Sequence, residues 1–134
     1  MKITTKIVTK EVYDDILCDW WKDWRWTPPK YEMLPQTGII VYNDEVPVCA
    51  GFVYFTNSKM AWVEYIVSNF HYRDFNRNEL IELTINTLCE LAKDNGFNYL
   101  YTSLKNKHLV NKYKNCGFSE GDSNCQEMIK IWQQ

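Results

Sequence analysis

The chain has 134 residues, 46% hydrophobic and 24% charged, which is the composition of one ordinary globular domain and excludes a disordered chain. Fifteen Lys and Arg against seventeen Asp and Glu leave a net charge of −2, so duplex nucleic acid held by phosphate neutralisation is not an expected partner. Aromatic residues reach 16%, enough to fill a core and leave aromatic surface over. In chain order, the β-branched run 2–9 predicts a strand. From Glu11 to Trp24, apolar Val12, Ile16, Trp20 and Trp24 recur every four residues, with Tyr13, Leu17 and Trp21 widening the stripe of an amphipathic helix. Its other face is acidic, with Glu11, Asp14, Asp15, Asp19 and Asp23, and Pro28-Pro29 stops it.

Three strands follow, at 39–42, 46–55 and 60–67, joined by short polar turns that predict an antiparallel meander. A helix is predicted over 77–95, with a broad stripe from Leu80 to Ala92 and Gly96 as its stop. A short strand is expected at 97–102 and a helix at 107–116 closed by Gly117. Two strand-like pieces, 118–120 and 127–132, form a terminal hairpin. This order predicts an α/β (α+β) fold, with a mixed, mostly antiparallel sheet of six to seven strands and helices on both faces. The strand-helix-strand unit from Met60 to Thr102 places its two strands parallel, and ligands of such units collect where the strand ends and the helix begins.

No leader segment is read in residues 1–15, and the apolar run 50–55 is too short to cross a bilayer, so no membrane partner is expected. Five cysteines without a CxxC pair, and two histidines, argue against a structural zinc site. No metal is therefore expected. The cysteines read as small hydrophobes of a reducing compartment, and the expected location is cytoplasmic.

The residues with most chemistry lie between the third meander strand and the long helix. Arg73, Asn76, Arg77 and Asn78 cluster at the helix start, where unpaired backbone N–H groups and the helix dipole favour an anion such as a pyrophosphate. Asn also tolerates the left-handed backbone that a phosphate-cradling turn needs. Equally, Asn76 and Glu79 make a capping pair that needs no ligand.

Arg73-Asp74-Phe75-Asn76-Arg77-Asn78 resembles the Q/R-x-x-G-x-G/A pyrophosphate loop of the GNAT N-acetyltransferase superfamily, with Asn at both glycine positions. Residues 106–118 resemble the family's late motif N-x-x-A-x-x-L-Y-x-x-x-G-F, with Asn106, Tyr113, Gly117 and Phe118 in register and Leu109 and Lys112 in place of Ala and Leu. Residues 128–132 are similar to its closing M-x-K-x-L strand. More loosely, Trp24, Pro28-Pro29, Leu34-Pro35 and Gly38 look like small GNAT-like proteins of bacteriophage type.

The resemblance implies acetyl transfer from acetyl-CoA, as co-substrate, to a primary amine on a small molecule or protein. It places Arg73, Asn76, Arg77 and Asn78 on the pyrophosphate, the backbone of Val67 and Ser68 on the pantetheine arm, and Asn106 on the cofactor. Asn106 could equally cap its helix. Tyr113 falls where the family puts the tyrosine that protonates the departing sulfur; the alternative is a core tyrosine. Glu64 is a candidate general base if buried, or an outward glutamate on a half-exposed strand. Trp20, Trp24 and Trp26 with the acidic helix face suit a cationic acceptor, unless the rings are core anchors and the acids a solvated face.

Three features bear on activity. Asn side chains stand where backbone must approach a pyrophosphate, Asp74 and Glu79 oppose the arginines, and the short terminal hairpin leaves one acceptor wall reduced or supplied by a second subunit in a homodimer. A GNAT-fold binding module without acetyl transfer is the alternative function.

Overall fold

The computed structural model describes residues 1–132. Strand β1 (Ile3–Ile7) leads into helix α1, built of an α segment Lys10–Val12, a π segment Tyr13–Leu17 and an α segment Cys18–Asp23. The Thr9 hydroxyl caps it by accepting the Val12 amide at 3.2 Å. A strict four-residue apolar spacing drifts around a helix of about 3.6 residues per turn, and the wider π turn keeps the stripe aimed at the sheet. The helix closes at Arg25, left-handed at φ 63°, and the Trp26 amide returns to the Trp21 carbonyl at 2.8 Å.

After a 3₁₀ turn at Tyr31–Met33 come β2 (Gly38–Asn43), β3 (Val46–Phe55) and β4 (Met60–Ser68). Helix α2 (Arg77–Asp94), β5 (Tyr99–Tyr101) and helix α3 (Lys107–Asn115) complete the elements. The sheet order is β1-β2-β3-β4-β5, antiparallel throughout except for the parallel β4–β5 pair. The mixed α+β architecture and the parallel crossover are as the pattern predicts.

The sheet has five strands among the described residues, not six to seven. The segments at 118–120 and 127–132 form no strand, and Met128, Ile129, Ile131 and Trp132 lie exposed. Their apolar character is visible in the sequence, but a strand also requires a neighbour to accept its backbone hydrogen bonds.

Two cores sandwich the sheet. On one face α1 buries Leu17, Trp20 and Trp21 against Ile40, Ala50, Phe52 and Val67. On the other, α2 and Tyr113 of α3 pack on Ile39, Val41, Val53, Ala61, Val63 and Ile66. Gly51 lets α2 approach the sheet, since a Cβ there would lie 2.4 Å from Ile66 Cδ1 and 2.9 Å from Leu88 Cδ1.

Candidate active site

Strands β4 and β5 pair over three residues only, Met60↔Tyr99, Ala61↔Leu100 and Trp62↔Tyr101, and then part. Where they part, the Thr102 hydroxyl donates to the Val63 carbonyl at 2.6 Å. One residue beyond Val63, β4 bulges. Ala50 opposes Val67 and Phe52 opposes Glu64, so Gly51 faces both Tyr65 and Ile66. Tyr65 takes the extra position in left-handed backbone, φ 58°. The bulge puts the Glu64 and Tyr65 side chains on the α1 face together, and Tyr65 packs edge-on to Trp21 at 6.4 Å.

Burial pushes the Glu64 carboxyl up to about 7; the Tyr65 backbone amide pulls it down and Glu127 adds a smaller upward push. A carboxylate poised there changes charge near neutral pH, as a general base requires.

Tyr113, 2% exposed, reaches the same place from α3. Its ring packs edge-on to Phe118 at 4.9 Å, and its hydroxyl lies beside Thr102 without forming a hydrogen bond. Burial, partly offset by Thr102, raises its pKa, so the phenol stays protonated and keeps a donor to give. A buried hydroxyl with no partner is uncommon in a folded protein and marks a place where a ligand atom can be received.

At the other end of β4, the loop 69–76 runs into α2. The Arg77 guanidinium donates to the Ser68 hydroxyl at 2.8 Å, and its buried Nε has no partner. Burial and the like charge of Arg73 lower the Arg77 pKa from the usual arginine value.

Neither asparagine takes the left-handed backbone of a cradling turn. Asn76 is buried, with φ −90°, and is not left-handed. Nor does its side chain cap the helix: Asn76 Oδ1 accepts the Tyr72 hydroxyl at 2.5 Å, and that hydroxyl accepts Asn43 Nδ2 at 2.8 Å. Hydrogen bonding to a neighbouring phenol has outcompeted the helix amides, so the side chain at the first glycine position is folded inward. Asn78 is exposed inside the first turn of α2.

Ser68 is occupied at both ends, since its carbonyl accepts Trp24 Nε1 at 2.8 Å. Trp24 therefore stands at the loop 69–76, stacked on Trp26 at 5.8 Å and edge-on to Phe70 at 4.8 Å. The Arg73 guanidinium lies over Trp24 at 5.7 Å and Phe70 at 4.9 Å, and Arg77 over Trp24 at 6.0 Å. Trp26 is exposed, whereas Trp20 is a core anchor at 5% exposure, so its ring is not at a surface that an acceptor reaches. Asp14, Asp15, Asp19 and Asp23 are a solvated face, Asp14 pairing with Lys10 at 2.8 Å.

Val67 is buried on the α1 face and offers only backbone. Asn106 caps α3, its Oδ1 accepting the His108 amide at 2.8 Å. The structure thus brings Glu64 and Tyr113 to the parting of β4 and β5, and Arg73, Arg77, Ser68 and Trp24 to the loop end. Thr102, Tyr65 and Tyr72 belong to these clusters but carry no motif. Tyr72 had one legible clue, its four-residue spacing to Asn76.

A five-stranded mixed sheet whose fourth and fifth strands are parallel and then part is the fold that this chain shares with solved N-acetyltransferase structures. Solved structures similar to it include glucosamine-6-phosphate N-acetyltransferase from Arabidopsis thaliana, with TM-score 0.69 at 11% identity over 99% of this chain and 100% of that one. The ribosomal-protein-S18-alanine N-acetyltransferase from Escherichia coli gives TM-score 0.70 at 13% identity, over 90% and 80% of the two chains. AAC(6')-Iy in complex with the bisubstrate analog CoA-S-monomethyl-acetylneamine gives 0.67 at 12%, over 98% and 100%. No protein-family model and no curated protein matches the sequence.

Proposed function

We propose that the chain is an acetyl-CoA-dependent N-acetyltransferase acting on a primary amine. The observation that carries this is the Tyr113 hydroxyl, buried and unpartnered beside Thr102 and within electrostatic reach of Glu64. The fold neighbour bound to a CoA bisubstrate analog supports the choice of cofactor.

The residues present fit a CoA thioester. Tyr113 Oη and Arg77 Nε are donors without partners, and no side chain caps the start of α2. Arg73 and Arg77 supply charge for a pyrophosphate there, the exposed Asn78 adds a polar group, and the β4 backbone at Val67 and Ser68 lines the arm's path. Asn76 acts indirectly, by holding the loop through Tyr72. Asn106, occupied as a cap, keeps its amide N–H groups for the cofactor.

In the transfer, Glu64 accepts a proton from the incoming ammonium. The freed nitrogen then bonds to the acetyl carbon as the carbon–sulfur bond breaks, and the sulfur leaves as a thiolate. Tyr113 donates its proton to that thiolate, and the second proton, shed by the acylated nitrogen, passes through solvent to reprotonate Tyr113. Amide, free CoA thiol and the proton released by Glu64 complete the balance.

One observation favours a second reading, a GNAT-fold binding module. Trp24 uses the Ser68 carbonyl and covers both loop arginines, so the aromatic cluster fills part of the anion site. Titration calorimetry with acetyl-CoA separates the two. Micromolar to sub-millimolar binding, with release of free thiol when an amine is added, supports the transferase, whereas no heat at millimolar acetyl-CoA leaves the binding module.

A further inference from the structure

On the α1 face of the sheet, beyond the helix, Tyr54, Trp62 and Tyr101 form a ladder across β3, β4 and β5. Tyr54 opposes Trp62 and Trp62 opposes Tyr101 in register. The rings meet at 5.8 Å on either side of Trp62, at 42° and 72°. The Tyr54 hydroxyl is tied to the Met33 carbonyl at 2.7 Å, which fixes one end. Trp62 and Tyr101 remain 39% and 50% exposed and wall a surface hollow of about 260 Å³ with Met60 and the 56–58 turn. Among the described residues no lysine or arginine lies over any of the three rings, unlike Tyr13, Tyr42 and Trp132, which each carry one, and Trp24, which carries two.

Glu64 follows Trp62 by two residues and points to the same face, so the two side chains leave the strand about 6 to 7 Å apart. Glu127 contributes negative potential beside it, reduced by its own pair with Lys105 at 2.8 Å. A carboxylate and an uncovered π surface at that separation complement two positive charges on a short stem, because ring faces attract ammonium groups.

We propose that the ladder receives the second, non-reacting ammonium of the acceptor, and that the acceptor is an unbranched aliphatic diamine or polyamine with about four or five carbons between nitrogens. This rests on the transferase reading of Glu64. The reacting nitrogen sits at Glu64, the methylene stem lies along β4, and the far ammonium lies on Trp62 and Tyr101.

The test compares initial rates with acetyl-CoA and 1,4-diaminobutane, 1,5-diaminopentane or butylamine, alongside acetyl-CoA binding by calorimetry. The expected result is kcat/KM about tenfold or more higher for the diamines than for butylamine. Trp62→Leu should collapse that ratio towards one. Tyr101→Leu, at the sheet edge, serves the same purpose if the first variant folds poorly. Equal rates for diamine and monoamine overturn the inference alone, as does a diamine preference that persists in both variants. Acetyl-CoA binding without turnover of any of the three amines also overturns it, placing the acceptor outside this class. Absence of both binding and turnover overturns the transferase reading, and the inference with it.

Discussion

The Tyr72 hydroxyl donates to Asn76 Oδ1 at 2.5 Å, and both residues are buried at the root of the loop 69–76. The same hydroxyl accepts Asn43 Nδ2, so a chain of three side chains ties the start of α2 to the end of β2. Tyr72→Phe leaves Asn76 Oδ1 and Asn43 Nδ2 without their partner. It should cost about 1–3 kcal/mol, read as a lower urea midpoint at unchanged m-value. Acetyl-CoA affinity should fall in parallel, because the loop loses its anchor while both arginines remain.

Glu64 sets the expected pH dependence. With its carboxyl held near 7 by burial, the basic form accumulates above that pH, so kcat/KM should climb through neutrality and level off. Glu64→Gln should lower the rate by about 10²–10⁴ and abolish that limb, checked by pH-rate profiles of both proteins. Stability should move oppositely. A carboxyl raised in the folded state favours folding most below its unfolded pKa, and this contribution is lost as pH rises from there through about 7. The Gln variant should therefore be the more stable protein above neutrality, measured by thermal melts at several pH values.

Tyr113→Phe removes a buried hydroxyl that has no hydrogen-bond partner within the protein. Stability should be unchanged or rise by up to about 1 kcal/mol, because the cost of burying the polar group disappears with it. Turnover should fall by roughly 10- to 100-fold if the hydroxyl protonates the leaving sulfur. Melting temperature and single-turnover rate measured on one preparation separate the two roles.

Arg77→Ala should raise the acetyl-CoA dissociation constant by about tenfold or more, since it deletes a charge-assisted donor and frees Trp24 and Ser68 to shift. Asp74→Asn should act the other way by removing an opposing charge. Calorimetric titration of both variants checks the pair.

Most of the fold is legible in the sequence because it rests on periodicity. The α2 stripe and its left-handed stop at Gly96, φ 87°, place that helix within a residue of its observed end. The meander is equally plain from alternating runs and polar turns. The site is less so. The stripe ending at Trp24 gives no hint that its ring, one residue past the last helical turn, swings to the Ser68 carbonyl. Asn76 reads as a cap because local rules favour caps, yet a tyrosine four residues upstream takes its oxygen. The residues 127–132 have strand-like composition, but composition does not say whether a partner strand is within reach. The β4 bulge is the least visible feature, since it is marked by a tyrosine rather than a glycine.

That bulge gives β4 one residue to spare. Excising Tyr65 would restore simple alternation and leave every other side chain on its own face, with Ile66 still under α2 and Val67 still beneath α1. Excising Val63 would also use up the spare residue, but at the expense of turning the Glu64 carboxyl under α2. A saturation library that includes single-codon deletions should therefore accept loss of Tyr65 better than loss of Val63.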